Sequence, residues 1–392
     1  MEFELTEEQL SVREAAREFT QQELLPGVIE RDRDMKHPTD QVRKMGEMGF
    51  LGMMVSPEYG GGGMDTLSYV LAMEEISKVD SSCSVIMSVN NSLVCWGLEE
   101  YGTAEQKLKY LPRLASGEWI GSFCLSEPEA GSDATSQRTT AIDMGDHYLL
   151  NGTKNWITNG GKSSLHLVIA QTHAEKGHCG INVLLVETSY PGVTIGAKED
   201  KLGIRASDTH TIMYTDVKVP KENRIGEDGF GFKFAMKVLS GGRIGIAAQA
   251  LGIAAGAYEL AVKYSKEREA FGRPISQHQA IAFKLADMAT EIEAARLLVY
   301  RAAWMKDQGM DYTSAAAMAK LFASEVAMKQ TVEAIQVHGG YGYVKEYHVE
   351  RLMRDAKITQ IYEGTSEMQR IVISRNILNG QLYEPLWKTE SV

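Results

Sequence analysis

The stretch RDAKITQIYEGTSE, residues 354–367, decides how the rest of the chain is interpreted. Within it a carboxylate, Glu363, precedes Gly364 and the hydroxyl residues Thr365 and Ser366. Glycine lets a ligand approach the main chain closely, so the carboxylate is predicted to lie beside free backbone N–H groups. This setting suits a base that removes a proton next to a carbonyl, while an N–H group stabilises the developing oxyanion.

The same residues also fit a plain helix start. Thr365 or Ser366 would be the N-cap, and Glu367 an acidic residue in the first turn. Local sequence leaves both interpretations open, so the rest of the chain has to decide between them.

Composition describes a large, folded and acidic protein. The chain has 392 residues, 44% of them hydrophobic and 24% charged, which is enough for two or three domains with sizeable cores. The net charge of −11 argues against a general nucleic-acid-binding or anionic-membrane surface. No apolar run is expected to form a transmembrane helix.

The cysteines and the N-terminal residues predict the compartment. Four cysteines without CxxC spacing fit reduced thiols in the cytosol. The acidic start, Met1–Leu5, resembles neither a secretory signal nor a transit peptide, so a cytoplasmic location is predicted, or the mitochondrial matrix if a transit peptide was removed. His173, His178 and Cys179 lack convergent spacing, so no metal site is predicted.

The pattern along the chain predicts a mostly α, α+β fold in three parts. Residues 1–120 should form an N-terminal helical domain, in which Thr6 and Gln9 make a capping box. Helices are expected over 39–48, 65–79, 82–101 and 104–114.

The middle and last parts differ in their periodicity. Residues 121–230 contain short alternating or apolar runs between turn residues, which predict an antiparallel β-domain with strands over 148–152, 165–170, 181–186 and 209–219. Residues 231–392 predict a C-terminal four-helix bundle, with helices over 244–266, 278–308 and 313–338. The tail after Asn379 is expected to be peripheral or to pack on a neighbouring subunit.

Several motifs in this order resemble the acyl-CoA dehydrogenase family over essentially the whole chain. They are FCLSEPEAGSD (123–133), WITNGG (156–161), REAFGRPI (268–275), QVHGGYG (336–342) and YEGT (362–365). The stretch GRIGIAAQALG (242–252) is most similar to the short-chain, butyryl-type branch. The resemblance implies a homotetramer that binds FAD, oxidises an acyl-CoA to the trans-2-enoyl-CoA and passes electrons to an electron-transferring flavoprotein.

By this resemblance Glu363 is the catalytic base. Some family members carry the base at the position of Gly242, where this chain has no carboxylate. Burial against flavin and acyl chain should raise the pKa of Glu363 above its usual ~4.3 and suit it to proton transfer.

The resemblance also implies a set of cofactor-binding residues. They are Phe123, Leu125, Ser126, Gly131, Ser132, Trp156, Ile157, Thr158, Arg268, Phe271, Gln279, Gln336, Gly339, Gly340, Thr365 and Glu367. Those from 268 to 340 are expected to bind the FAD pyrophosphate and adenosine, largely across a subunit interface. On residue type alone, Trp156 fits ordinary core packing equally well, Ser126 fits a turn, and Arg268 fits a solvated charge at a helix C-terminus.

The residues implied to contact substrate form a shorter set. They are Ser132, Ser240, Arg243, Tyr362, Glu363 and Gly364. Ser240 stands where the family often has Asp, so any contact there would lack a charge. Arg243 fits the mouth of the acyl site or a structural ion pair within the bundle.

Three other functions remain open from the sequence. One is a branched-chain or cyclic acyl-CoA substrate in the same fold, and another is an oxidase that passes electrons to O₂. The third is a non-catalytic flavoprotein of this fold that serves in nucleic-acid binding or regulation, against which the net charge and an intact Glu363 both count.

Overall fold

The computed structural model describes residues 4–380. The expectation for the tail after Asn379 therefore lies, beyond Gly380, outside the described residues. Seven α-helices precede the sheet: α1 Glu7–Phe19, α2 Val28–Arg33, α3 Thr39–Glu47, α4 Thr66–Ser77, α5 Ser81–Ser88, α6 Trp96–Tyr101 and α7 Ala104–Ala115.

These helices begin where the capping residues predict. Thr6 and Gln9 form the expected capping box, and Thr103 with Gln106 forms a second one at α7. The single helix expected over 82–101 is instead α5 and α6 joined by a π-helical segment, Val89–Cys95. The short helix α2 was not predicted, because six mostly charged residues give little apolar periodicity.

The middle region is an eight-stranded sheet. Its strands are β1 Gly121–Cys124, β2 Thr140–Asp143, β3 His147–Thr158, β4 Leu165–Gln171, β5 Ile181–Glu187, β6 Val193–Lys198, β7 Thr209–Pro220 and β8 Arg224–Ile225. Their order is β6-β7-β3-β2-β4-β5-β8, with β1 paired to β4.

The description of this sheet as antiparallel was incomplete. β1 runs parallel to β4 in the register Gly121↔Leu165, and β2 also meets β4 in parallel at Thr140↔Gln171. β1 follows α7 and is not joined to a neighbouring strand by a hairpin. The sequence therefore contains no turn signal that indicates which strand β1 pairs with. β1, β2, β6 and β8 were missed because they are short or lack clear alternation.

The C-terminal region has five helices: α8 Gly231–Glu267, α9 Gln279–Asp307, α10 Thr313–His338, α11 His348–Ile358 and α12 Ser366–Leu378. The small hairpin β9 Glu269–Ala270 and β10 Arg273–Pro274 connects α8 to α9. α9 has an apolar stripe of buried residues spaced by four and three positions: Met288, Ile292, Ala295, Val299 and Ala302. Ile281 and Leu285, in the first two turns, continue this spacing but are only half-buried.

α8 organises the core, since it contacts both other regions. One apolar cluster joins it to the N-terminal helices and to α9 and α10, and a second joins its first turns to the sheet. At Gly252 a Cβ would collide with the carbonyl of Glu74, so glycine permits the close approach of α8 to α4.

α8 also corrects the expectation that no apolar run could cross a membrane. By length and composition alone this helix could cross a membrane, since its most apolar 18-residue window has a mean hydropathy of 1.3. Yet 83% of that window is buried inside the protein, as expected for the central helix of a helical core.

Candidate active site

Glu363 lies in the loop between α11 and α12, in a backbone conformation that non-glycine residues rarely adopt. Its φ is 52°, and Gly364 follows with a φ of 93°. Thr365 is the N-cap of α12 and accepts a hydrogen bond from the Met368 N–H at 3.3 Å. The helix-start interpretation of this stretch is therefore correct, and α12 begins at Ser366, three residues after Glu363. Left-handed non-glycine residues are enriched at functional sites.

Glu363 places one carboxylate oxygen in the protein interior. The residue as a whole is half-buried, but its Oε2 atom is buried, has no hydrogen-bond partner among residues 4–380 and lies against Gly242 of α8. Burial raises the pKa of Glu363 to about 7, although the nearby positive charges of Lys320 and Arg243 oppose this rise. A carboxylate with such a pKa is suited to taking a proton near neutral pH.

The backbone around Glu363 is fixed through its carbonyl groups. The Lys320 ammonium and the Gln369 side-chain amide each donate to the Gly364 carbonyl at 2.8 Å. Within residues 4–380, the backbone N–H groups of Glu363, Gly364 and Thr365 donate no hydrogen bond. The loop therefore presents unpaired N–H donors next to an unpaired carboxylate.

The other predicted substrate residues lie in four different environments. Arg243 is buried, makes no ion pair within 4 Å among the described residues, and has an unpartnered Nε, so the structural ion pair considered for it is absent there. Tyr362 donates its hydroxyl to Gln249 of α8. Ser240 donates to the Met236 carbonyl at 2.9 Å within its own helix, and Ser132 is exposed in the loop after β1.

The predicted residues of the sheet region include one exposed aromatic ring. Trp156 is 63% exposed with a φ of 63°, so the alternative of ordinary core packing is wrong for it. Ile157 and Leu125 are buried in the protein core. Phe123, Ser126 and Thr158 are half-buried, and Gly131 is exposed.

A buried ion pair attaches the loop after β1 to strand β3. The ammonium of Lys154, itself fully buried, donates to Glu127 at 2.7 Å and to the Leu125 carbonyl at 3.0 Å. Glu127 also accepts from the backbone N–H of Arg138 at 2.6 Å. The turn expected at Ser126 is thus fixed from inside by charged groups.

A third group of predicted residues meets at the C-terminal end of α10. Arg268, Gly339 and Gly340 line a surface cavity of about 480 Å³, together with Tyr264, His338 and Tyr341. Gln279, Gln336 and Phe271 are exposed and are not part of its lining. A larger cavity, of about 630 Å³, lies among α1, α4 and α9 and contains none of the predicted residues.

The histidines considered for metal binding have other partners. His173 lies 3.3 Å from Asp228 and 3.5 Å from Glu175. Among residues 4–380, no three His, Cys, Asp or Glu side chains converge as metal ligands do.

Three domain families match the chain in sequence order. They are the N-terminal, middle and C-terminal domains of acyl-CoA dehydrogenases, over residues 6–118, 122–217 and 229–378. This chain belongs to the acyl-CoA dehydrogenase family. The family and the α+β fold class predicted from sequence are therefore confirmed.

Individual acyl-CoA dehydrogenases resemble the chain along its length. The short-chain specific acyl-CoA dehydrogenase of Clostridium acetobutylicum is 52% identical, covering 96% of this chain and all of that protein. The structure of butyryl-CoA dehydrogenase from Megasphaera elsdenii superposes with a TM-score of 0.95 at 48% identity, covering 96% of this chain and all of that chain. A chain from a structural study of the electron transferring flavoprotein of Acidaminococcus fermentans gives a TM-score of 0.95 at 52% identity and the same coverage.

Two lysines at this site were missed from the sequence. Lys320 is the only charged residue in the stretch Ala315–Ser324, and it is fully buried. Lys154 stands in the alternating strand β3 and is equally buried. A lone lysine in an apolar stretch was the available signal, since lysine is rarely buried without a partner.

Proposed function

We propose that this protein desaturates a short-chain acyl-CoA between Cα and Cβ, with Glu363 as the catalytic base. The observation that carries the proposal is the buried, unpartnered carboxylate of Glu363 beside unpaired backbone N–H groups. Its pKa of about 7 gives a large ionised fraction at neutral pH and a strong enough base to take the α-proton of a thioester.

The neighbouring donors would stabilise the negative charge that forms when the α-proton leaves. As that proton moves to the Glu363 carboxylate, the thioester oxygen gains enolate character. The Glu363 N–H, which has no partner within residues 4–380, is the donor proposed to bind that oxygen. Arg243 is buried close enough to influence the pKa of Glu363, and it would add positive potential.

The residues present fit a bound FAD. Trp156 offers an exposed ring beside main-chain groups of the sheet, and the cavity at Arg268 combines a guanidinium with Gly339 and Gly340, whose backbones have open space around them. When bound, FAD would supply the acceptor for the hydride that leaves Cβ. Two further predicted contacts, Thr365 and Glu367, lie at the start of α12, where a helix N-terminus favours anionic groups.

A short acyl group is favoured by hydroxyl groups near Glu363. Gly242 and Gly245 are three residues apart on α8, about 4.5 Å along the axis. A Cβ at Gly245 would lie 2.6 Å from the Tyr69 hydroxyl oxygen and 2.7 Å from Ser88 Oγ. A butyryl group extends only two carbon–carbon bonds beyond its Cα, whereas a longer chain directed along α8 would have to displace these hydroxyl groups.

The partners follow from the relatives. We propose an electron-transferring flavoprotein as oxidant, in line with the 52% identity to the chain from the Acidaminococcus fermentans study. A homotetramer is proposed because Phe271 is 96% exposed and Tyr343 is 86% exposed in the single chain. The cytoplasmic location and the domain bounds 1–120, 121–230 and 231–392 also remain proposals.

The deciding experiment is an anaerobic titration of the purified, flavin-loaded protein with butyryl-CoA. We expect bleaching of the flavin absorbance to be complete near one equivalent per subunit. The control is Glu363→Gln, which should bind flavin and butyryl-CoA yet show almost no bleaching.

Two results would contradict the proposal. Full activity in Glu363→Gln would remove the assigned base. No bleaching of the wild-type protein by butyryl-CoA would remove the short-chain assignment, and branched, cyclic and longer acyl-CoAs would then be titrated in the same way. Retention of DNA at moderate salt would favour the non-catalytic alternative.

A further inference from the structure

Lys320 is a charged side chain placed where the protein interior normally excludes charge. It lies in the middle of α10 with a relative exposure of 0%. Within residues 4–380 no carboxylate lies within 4 Å of its ammonium, whose one hydrogen bond goes to the Gly364 carbonyl at 2.8 Å. Because a buried ammonium without a carboxylate partner is costly, its presence calls for a specific role.

The Gly364 carbonyl belongs to the most unusual backbone of the loop. Glu363 and Gly364 are consecutive residues with positive φ, and Lys320 and Gln369 both donate to that carbonyl. Such conformations persist only when their surroundings hold them. The ammonium of Lys320 therefore acts on the backbone that aims the Glu363 carboxylate towards Gly242.

The charge of Lys320 also reaches the carboxylate itself. Of the groups that influence Glu363, Lys320 comes from α10 and Arg243 from α8, and both favour the ionised carboxylate against the effect of burial. Lys320 in turn is influenced by Glu363, Arg243, Glu325 of its own helix and Glu367 of α12. Arg243 carries a second positive charge, but its Nε is unpartnered and no ion pair fixes it to Glu363.

We infer that Lys320 is a positioning residue for the catalytic base: its ammonium fixes the Gly364 carbonyl and its charge keeps Glu363 ionised. This inference deepens the proposed function and rests on it for the role of Glu363. Lys320 touches neither the reacting atoms nor the carboxylate, so its effect passes through the loop and through space.

The first test separates the hydrogen bond from the charge. Lys320→Met removes both, whereas Lys320→Gln keeps an amide donor without a charge. We expect the acid limb of kcat/KM for butyryl-CoA to move up by about one pH unit in both variants, because an opposite charge nearby lowers a carboxylate pKa by that order. The plateau at high pH should fall at least tenfold in Lys320→Met and less in Lys320→Gln.

The matched control is Lys329→Met on the same helix. Lys329 is exposed and pairs with Glu291 on the surface. Replacing it should therefore change neither the acid limb of the kcat/KM profile nor the value of kcat/KM at high pH. An unchanged limb in a Lys320 variant that retains flavin would overturn the inference, since a merely structural lysine would not shift a titration.

A second test does not depend on turnover. Thermal stability is measured at pH 7.5 for wild type, Lys320→Gln, Glu363→Gln and the double variant. At this pH Glu363 is mostly ionised, and Lys320, whose pKa is lowered by burial to about 8, is still mostly charged. We expect Lys320→Gln to lower the Tm more in the wild-type background than in the Glu363→Gln background, because only the former contains the opposite charge. Equal losses in both backgrounds would overturn the inference, whether or not the protein oxidises butyryl-CoA. Failure of the proposed function would instead appear as wild-type protein that butyryl-CoA does not bleach.

Discussion

The Glu363 carboxylate occupies the space into which a side chain at position 242 would project. A Cβ built on Gly242 would collide with Glu363 Oε2 and would lie 2.6 Å from Leu93 Cδ2. Glycine is therefore required on this face of α8 for the base to adopt its observed position. A Glu363 carboxylate in this position therefore requires that residue 242 has no side chain.

We predict that Gly242→Ala lowers kcat for butyryl-CoA at least tenfold while flavin remains bound, because the new methyl group displaces the Glu363 carboxylate. Gly241→Ala is the control, since a Cβ there has the Tyr312 hydroxyl as its nearest neighbour at an ordinary 3.8 Å. Steady-state kinetics and the flavin spectrum of both variants decide the matter. Equal activity in the two would show that residue 242 does not constrain the base.

The pH dependence of kcat/KM should report the ionisation of Glu363 in the free enzyme. The base acts when deprotonated and its pKa is raised to about 7, so kcat/KM should fall about tenfold per unit as the pH drops below this value. Rates measured between pH 5.5 and 8.5, with flavin content checked at each pH, give the midpoint. A midpoint near 4.5 would mean that the carboxylate is not buried in the working enzyme.

The same raised pKa predicts that Glu363 costs stability at alkaline pH. Its contribution to folding is fully present below the ordinary pKa of 4.5 and is lost as the pH rises through about 7. Glu363→Gln should therefore be more stable than wild type at pH 8, by at most ~3.5 kcal/mol, at about 1.4 kcal/mol per pH unit between the two pKa values. Denaturant unfolding at pH 5 and pH 8 tests this, and a difference of the same size at both pH values would contradict it.

Patterns over neighbouring residues predicted most of the fold. The capping pair Thr6 and Gln9 and the boundaries Thr313 and His338 of α10 were found because caps and glycines mark helix ends locally. The parallel pairing of β1 with β4 was not found, because it joins residues 44 apart, such as Gly121 and Leu165, that no turn connects.

Only those residues of the candidate site that belong to sequence motifs could be predicted. Glu363 was predicted from its motif, and the structure adds the neighbours that raise or lower the pKa of its carboxylate. Lys320 is 43 positions away in sequence, and Gly242 is 121 positions away, so their approach to Glu363 depends on the packing of α8 and α10 against the loop. No local pattern encodes that packing.

Lys154→Met should strongly destabilise the sheet region. It removes one partner of a buried pair and leaves Glu127 as an uncompensated charge, a change that typically costs about 3–5 kcal/mol. Lys218→Met, at an exposed position of β7, is the control and should be almost neutral. Denaturant unfolding of both variants makes the comparison. A loss below about 1 kcal/mol in Lys154→Met would mean that the loop after β1 is held by other contacts.

Phe271 should matter for assembly and flavin retention rather than for folding of the subunit. It is 96% exposed, has a φ of 54° and stands in the hairpin between α8 and α9, where an apolar ring gains nothing from water. We expect Phe271→Ala to keep the helical circular dichroism of the wild type but to bind FAD more weakly. Its tetramer should also dissociate at protein concentrations at which the wild-type tetramer is still intact.

Leu108→Ala, at a 64% exposed leucine of α7, is the control and should change neither property. Flavin titration of the apoprotein and light scattering across a dilution series measure both effects. If Phe271→Ala behaves like Leu108→Ala in both, the ring is a solvated surface residue and the subunit interface lies elsewhere.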